Sequence, residues 1–298
     1  MSKLAFIFPG QGAQFPGMGK GFDSGVFDVA ERLCPGIRAL CFDGDPAELK
    51  LTKNAQPCLY MAETAAAEAL VKGGLRPDMV AGFSFGEIVA LAFAGVFDME
   101  TGFEIAKKRG ELMSESAPDT GMAAILKLPD ETVEEICALH GIYPVNYNCP
   151  GQVSVSGKSD ALKEARPDFI AAGGRYAPLA VSGAFHSPFM SKAALGFADF
   201  LDGIDMKKPE IPVYSNLDAE VYGDNIKERM SNQIDHPVYW TKLIKNMNAA
   251  GAEIFIEVGP GDTLTKLGAR ILPEAKFIHV STPEEVTECL TEFSKERQ

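Results

Sequence analysis

Short, continuously apolar stretches alternate along this chain with longer segments whose apolar residues recur at helical spacing. Leu4-Ala5-Phe6-Ile7-Phe8 is apolar without alternation and stops at Pro9-Gly10, the pattern of a strand covered on both faces. Gln56 to Lys72 is rich in alanine and ends at Gly73-Gly74, which predicts a helix with a glycine stop. Met79-Val80-Ala81 predicts a second buried strand, and Ile88 to Gly95 a buried helix. Asp98 reads as the N-cap of a helix over about Met99–Ser116, closed by Pro118. Within that helix Lys107, Lys108 and Arg109 read most simply as a solvated basic face.

The pattern changes between Met122 and Ser182. Met122–Leu128, Tyr143–Asn148, Gln152–Ser156 and Tyr176–Val181 read as strands, with helices at Asp130–Leu139 and Ser159–Ala172. That βαββαβ order matches a ferredoxin-like unit. Beyond it, Ser187-Pro188 looks like an N-cap and first turn for a helix to about Leu201. Strands at Ile211–Ser215, Ile254–Val258 and Phe277–Val280 alternate with helices at Asn225–Ile234, Val238–Ala250, from Thr263 and from Pro283. The expected fold is α/β: a hydrolase-like, mostly parallel sheet flanked by helices, with an inserted ferredoxin-like α+β subdomain. The expected division is 1–121 and 183–298 for the large part and 122–182 for the insertion.

Composition narrows the function classes. The 298 residues are 46% hydrophobic, enough for a core of ordinary size without staples. A net charge of −13 argues against nucleic acid and against an anionic membrane as partners of the whole surface. No apolar run approaches the length of a membrane span, and Leu4–Phe8 is too short for a signal sequence. A cytoplasmic location is expected. Cys34, Cys41, Cys58, Cys137, Cys149 and Cys289 show no metal or redox spacing and read as thiols in a reducing compartment, Cys149 being the most exposed.

The chemistry enters at Gly82-Phe83-Ser84-Phe85-Gly86-Glu87, a Gly-x-Ser-x-Gly turn between a strand and a helix. In a nucleophile elbow the tight turn holds the serine hydroxyl clear of the sheet, and both glycines remove side chains that would clash. The helix start adds backbone N–H groups and partial positive charge at the same spot. A second glycine-rich loop, Gly10 to Gly19, follows the first strand; it lacks the Lys-Ser/Thr pair of a phosphate loop. A serine nucleophile needs a base. Of His140, His186, His236 and His279, only His186 lies in a Gly/Ser loop just after the insertion, and the order Ser84 then His186 suits a hydrolase-type elbow.

Five motifs occur in this order: Gly10-Gln11-Gly12-Ala13-Gln14, the elbow with Glu87, Lys108-Arg109-Gly110, Gly183-Ala184-Phe185-His186-Ser187 and Glu257-Val258-Gly259-Pro260-Gly261. Together with Asn146–Gln152 and His236–Trp240 they resemble the malonyl-coenzyme A:acyl carrier protein transacylases and the acyltransferase domains of polyketide and fatty acid synthases. The resemblance runs from about Phe6 to Leu267. It implies Ser84 as nucleophile, His186 as its base, and Gln233 as the residue whose backbone carbonyl orients the histidine. It further implies backbone N–H groups of Gln11 and Phe85 as an oxyanion hole, Arg109 as the holder of the malonate carboxylate, and Phe185 as a malonyl-selective ring. Malonyl-coenzyme A is then the substrate and an acyl carrier protein the partner, with no metal or redox cofactor.

The chain departs from the family at Phe83, where a histidine usually precedes the serine, and at Phe85, which is larger than the usual aliphatic residue. Both bear on acyl selectivity. A carrier protein is expected to be acidic, so a local basic rim of Lys107, Lys108, Lys242, Lys266 and Arg270 is hypothesised for its docking. Rival readings are an editing acyl hydrolase, an acyltransferase with altered selectivity, and a non-catalytic docking protein that kept the fold.

Overall fold

The computed structural model describes residues 3–115, 119–181 and 183–296. Strand β1 (Lys3–Phe8) is followed by three short helices, α1 (Val26–Leu33), α2 (Ile37–Asp43) and α3 (Pro46–Lys50). Helix α4 (Thr52–Lys72) leads to β2 (Met79–Gly82), α5 (Gly86–Phe93) and α6 (Met99–Ser114). Next come β3 (Thr120–Leu126), α7 (Asp130–His140), β4 (Tyr143–Cys149), β5 (Gln152–Lys158), α8 (Ser159–Ala171) and β6 (Arg175–Pro178). The remainder is α9 (Ser191–Asp202), β7 (Val213–Tyr214), α10 (Ile226–Asn232), α11 (Trp240–Ala249), β8 (Ala252–Val258), α12 (Thr263–Ile271), β9 (Lys276–Val280) and α13 (Pro283–Glu296).

Five strands form one sheet in the order β7-β2-β1-β8-β9, and every neighbouring pair is parallel. The continuous apolar run of β1 is explained by its central place, because alternate side chains serve opposite faces. Leu4, Phe6 and Phe8 enter the core shared with Leu59 of α4, Ile88 of α5 and Phe103 of α6. Ala5 and Ile7 enter the other, with Trp240 and Leu243 of α11 and Leu264 of α12. Burying a phenylalanine side chain contributes about 1.5–3 kcal/mol, so three such rings at Phe6, Phe8 and Phe103 hold α5 and α6 firmly on the sheet.

Four strands form a second sheet, β4-β5-β3-β6, in which every pair is antiparallel. Helices α7 and α8 cover one face through Val133, Ile136, Leu162 and Phe169. The βαββαβ order is the ferredoxin-like one. β4 is tied to the segment before α11 by Val238 N–H to Val145 O at 2.8 Å and Tyr147 N–H to Val238 O at 3.0 Å. The small sheet is thereby fixed over the carboxyl ends of the parallel strands.

Several expectations are corrected. Helices α1 to α3 are short and separated by turns, so their few buried positions (Val26, Phe27 and Ala30 in α1) did not register as a long period. Pro188 opens a 3-10 turn, Pro188–Met190, and the α-helix starts only at Ser191. Ser187 does not cap it; its hydroxyl donates back to Ala184 O at 2.6 Å. Cys149 is buried, because its side of β4 faces α11 and α12. The predicted ends at Ser116 and Pro118, and Ser182 in the later loop, lie outside the described residues.

Candidate active site

The elbow is built as its sequence requires. Ser84 sits in the left-handed region at φ 52°, between β2 and α5. A Cβ at Gly82 would run into the backbone of Gly86 and Glu87, and one at Gly86 into Phe8 O. Holding a non-glycine residue there costs on the order of 1–3 kcal/mol, which surrounding contacts must supply. Phe83 N–H donates to Phe8 O at 2.9 Å, which stitches the turn to the end of β1.

His186 also has positive φ, 61°, and is buried in the segment between the two sheets. Its Nε2 lies 2.7 Å from Ser84 Oγ and its Nδ1 2.8 Å from Gln233 O. A carbonyl can only accept, so Nδ1 carries the proton and Nε2 presents its lone pair to the serine hydroxyl. Burial, reinforced by the nearby Arg109 charge, lowers the His186 pKa to about 4. The ring is therefore neutral and able to take a proton at ordinary pH.

Arg109 overturns the solvated reading of its helix. Asp98 caps α6 by accepting from Thr101 N–H at 2.8 Å, and one buried face of the helix carries Phe103, Ala106, Arg109 and Met113 inward. The guanidinium is 1% exposed. It donates to Gln56 Oε1 at 3.0 Å and Gln233 Oε1 at 2.7 Å, with a longer 3.4 Å contact to Ser84 Oγ. Its Nε has no partner, and it takes part in no ion pair among the described residues. Burial lowers its pKa to about 10, with Glu87 countering in part, so it stays cationic. A buried charge held only by neutral amides is costly by several kcal/mol.

Gln233, the residue after α10, joins all of these. Its side-chain amide donates to Ser84 O at 2.7 Å, its side-chain oxygen receives Arg109, and its backbone oxygen receives His186. Gln11 and Phe85 were named for their backbone amides. Neither amide donates to an acceptor among the described residues, and Gln11 lies with Ser84, Arg109 and His186 around one cavity of about 100 Å³. The walls of that cavity are apolar: Met113, Met122, Leu179, Val181, Phe185 and Phe83. A second space of about 240 Å³ shares Gln11, Phe83, Asn146 and Leu179 with it and runs past Asn148, Gln152 and Ser154. Phe83 packs edge-on against Trp240 at 5.4 Å and borders both spaces. The Phe85 ring is fully buried in the core instead.

Four residues here had no sequence signal specific enough to find them. Gln56 is one more helix residue in an alanine-rich run, yet it holds Arg109. Asn216 follows β7; its Oδ1 accepts from Ser84 N–H and its Nδ2 donates to Gly82 O, both at 2.6 Å. Glu87 was seen only as part of the elbow motif, but its carboxylate accepts from Asn216 N–H at 2.6 Å and from the Tyr222 hydroxyl. The one available hint was position, since sites in parallel sheets gather at the carboxyl ends of strands. Of the basic side chains proposed for a rim, Lys107 pairs with Glu111, Lys266 with Asp262, Lys242 with Asp218 O, and Arg270 with Gln152 and Pro150.

No group of three or more His, Cys, Asp and Glu side chains among the described residues could hold a metal, and no helix is long and apolar enough to cross a membrane. Residues 5–283 match the family model described as an acyl transferase domain. The chain is 39% identical to the malonyl CoA-acyl carrier protein transacylase of Bacillus subtilis, over 96% of each chain. A solved malonyl CoA-acyl carrier protein transacylase from Clostridium perfringens superposes with a TM-score of 0.96 at 33% identity, over 99% of this chain and 98% of that one. A malonyl-transacylase solved in complex with its type II polyketide synthase acyl-carrier protein superposes at 0.94 and 32% identity, over 98% and 100%.

Proposed function

We propose a reaction for this chain on the premise that it belongs to the acyl transferase domain family: it moves malonyl from malonyl-coenzyme A to the phosphopantetheine thiol of an acyl carrier protein. The observation that carries the choice of acyl group is Arg109. A cationic side chain sealed from water, without a carboxylate partner and on the wall of the same cavity as Ser84, is matched by an acyl group that brings its own carboxylate. The editing-hydrolase reading is disfavoured on the same ground, since simple acyl groups do not call for that cation.

The transfer runs in two halves. His186 Nε2 takes the proton of Ser84 Oγ as the oxygen attacks the thioester carbonyl. The oxyanion is received by the Gln11 and Phe85 amides, each worth about 3–4 kcal/mol of barrier in comparable sites. As the carbon–sulfur bond breaks, the imidazolium returns the proton to the coenzyme A sulfur, leaving a malonyl ester on Ser84. The carrier thiol then gives its proton to His186 and attacks that ester, and the serine regains a proton as it departs. Gln233 O keeps the ring in the required tautomer throughout. The chemistry needs no metal or redox cofactor, and the free thiols of the chain fit a cytoplasmic setting.

Intact-mass measurement after mixing with malonyl-coenzyme A tests this. One malonyl group on the wild-type protein, none on Ser84→Ala, and its loss to a carrier protein is the expected result. A preference for acetyl over malonyl esters, or release to water and not to the carrier, would overturn it.

A further inference from the structure

The strained elbow is gripped from two sides. Gln233, on one side, belongs to the transfer machinery. Asn216, on the other, touches neither the cavity nor His186 through any hydrogen bond among the described residues, yet it makes two short bonds to the elbow backbone. Its Oδ1 receives the Ser84 N–H and its Nδ2 reaches Gly82 O, both at 2.6 Å, so one planar amide spans the residues on either side of Phe83. Asn216 is fully buried, which means water cannot replace either bond.

Asn216 is itself fixed. Its backbone N–H donates to Glu87 Oε2 at 2.6 Å, and its carbonyl receives Tyr239 N–H at 3.0 Å. The other Glu87 oxygen receives the Tyr222 hydroxyl, and Tyr222 N–H is bonded to Val213 O at 2.8 Å. Burial raises the Glu87 pKa to about 7, against the opposing pull of the Tyr222 and Asn216 hydrogen bonds and the Arg109 charge. The elbow, the turn after β7 and the start of α5 are thus joined through one buried carboxylate.

We propose that Asn216, anchored by Glu87 and Tyr222, is a positioning residue that holds Ser84 in its left-handed conformation so that Oγ meets His186 Nε2 in line. With the strap absent, φ at residue 84 relaxes toward ordinary values and the hydroxyl leaves the 2.7 Å contact. A displacement near 1 Å is enough to slow such a step on the order of 10²-fold. This inference rests on the proposed acylation of Ser84.

The test is single-turnover acylation by malonyl-coenzyme A, followed by intact mass, with the thermal midpoint measured on each variant. Wild type must acylate; if it does not, the proposed function falls and the strap is not what failed. Asn216→Ala is expected to acylate about 10²-fold more slowly at saturating substrate, with the half-saturating concentration unchanged. Asn216→Asp keeps the acceptor for Ser84 N–H but sets an oxygen against Gly82 O; about a tenfold loss is expected, and it also serves if the alanine variant does not fold. Glu87→Gln is expected to fall between them. A purely structural role would lower the midpoint and the fraction of protein that acylates, while the active fraction reacted at the wild-type rate. That outcome, or Asn216→Asp acylating within about threefold of wild type, overturns the proposal.

Discussion

The two sheets border one cavity and contribute unlike things to it. The parallel sheet and its helices supply five polar side chains near Ser84: Gln11 after β1, Gln56 on α4, Arg109 on α6, Asn216 after β7 and Gln233 after α10. The antiparallel sheet supplies Met122, Leu179 and the Asn146 amide, and so mostly a cover. His186 and Phe185 lie on the crossing between them. The difference is one of geometry. Parallel strands end together with their following loops on one edge, so groups far apart in sequence converge there. An antiparallel sheet splits its loops between two edges and presents a face, which suits a lid over a pocket better than a cluster of donors.

The largest effect that would sharpen this contrast is at the crossing. His186→Ala should slow acylation by 10² to 10⁴-fold while malonyl-coenzyme A still binds, measured by single-turnover mass spectrometry against equilibrium binding. The pH profile has a definite sign. With the His186 pKa lowered to about 4, the neutral base persists as pH falls past 6.5 and is lost only near 4. In Glu87→Gln, whose anchor no longer titrates, the acylation rate should therefore stay flat from about pH 8 to 5, while wild type should also slow as Glu87 takes up a proton at about 7. Over the same window the unfolded chain takes up the proton first, so this residue's contribution to stability is present above pH 6.5 and declines toward pH 4. A midpoint near 6.5 that persists in Glu87→Gln would mean that the His186 ring is solvated in the working enzyme.

Arg109→Ala comes next. It should cost malonyl transfer about 2–5 kcal/mol and leave acetyl transfer equal or faster, because the cation meets only an acyl group with its own charge. Equal losses for both acyl groups would make Arg109 a scaffold for Gln56 and Gln233, and the contrast between the sheets would lose its chemical half. Phe185→Ala should shift the preference from malonyl toward methylmalonyl by about 1–3 kcal/mol, read from competing coenzyme A thioesters. The smallest effect is expected from the cover. Leu179→Ala should raise KM for malonyl-coenzyme A a few-fold with kcat kept, the mark of uniform binding. A fall in kcat there would show that the antiparallel sheet takes part in the chemistry.

Much of this was legible in the chain itself. The unalternating run at Leu4–Phe8 placed a strand buried on both faces, and the glycines at 82 and 86 dictated a turn that only their missing side chains permit. The βαββαβ order and the position of His186 in a loop followed from local patterns of the same kind. Such features are written in sequence because they depend on residues a few positions apart.

Arg109 marks the limit. Beside Lys107 and Lys108 it is one basic helix residue among three, and only the packing of α6 against α4 decides that it points inward to Gln56 and Gln233 while its neighbours stay at the surface. Asn216, Gln56 and Tyr222 were silent for the same reason: each acts on a partner more than fifty residues away, on another element that only the folded chain brings near. Local periodicity fixes which face of an element is apolar; where a polar group finds its partner is decided by how the elements meet.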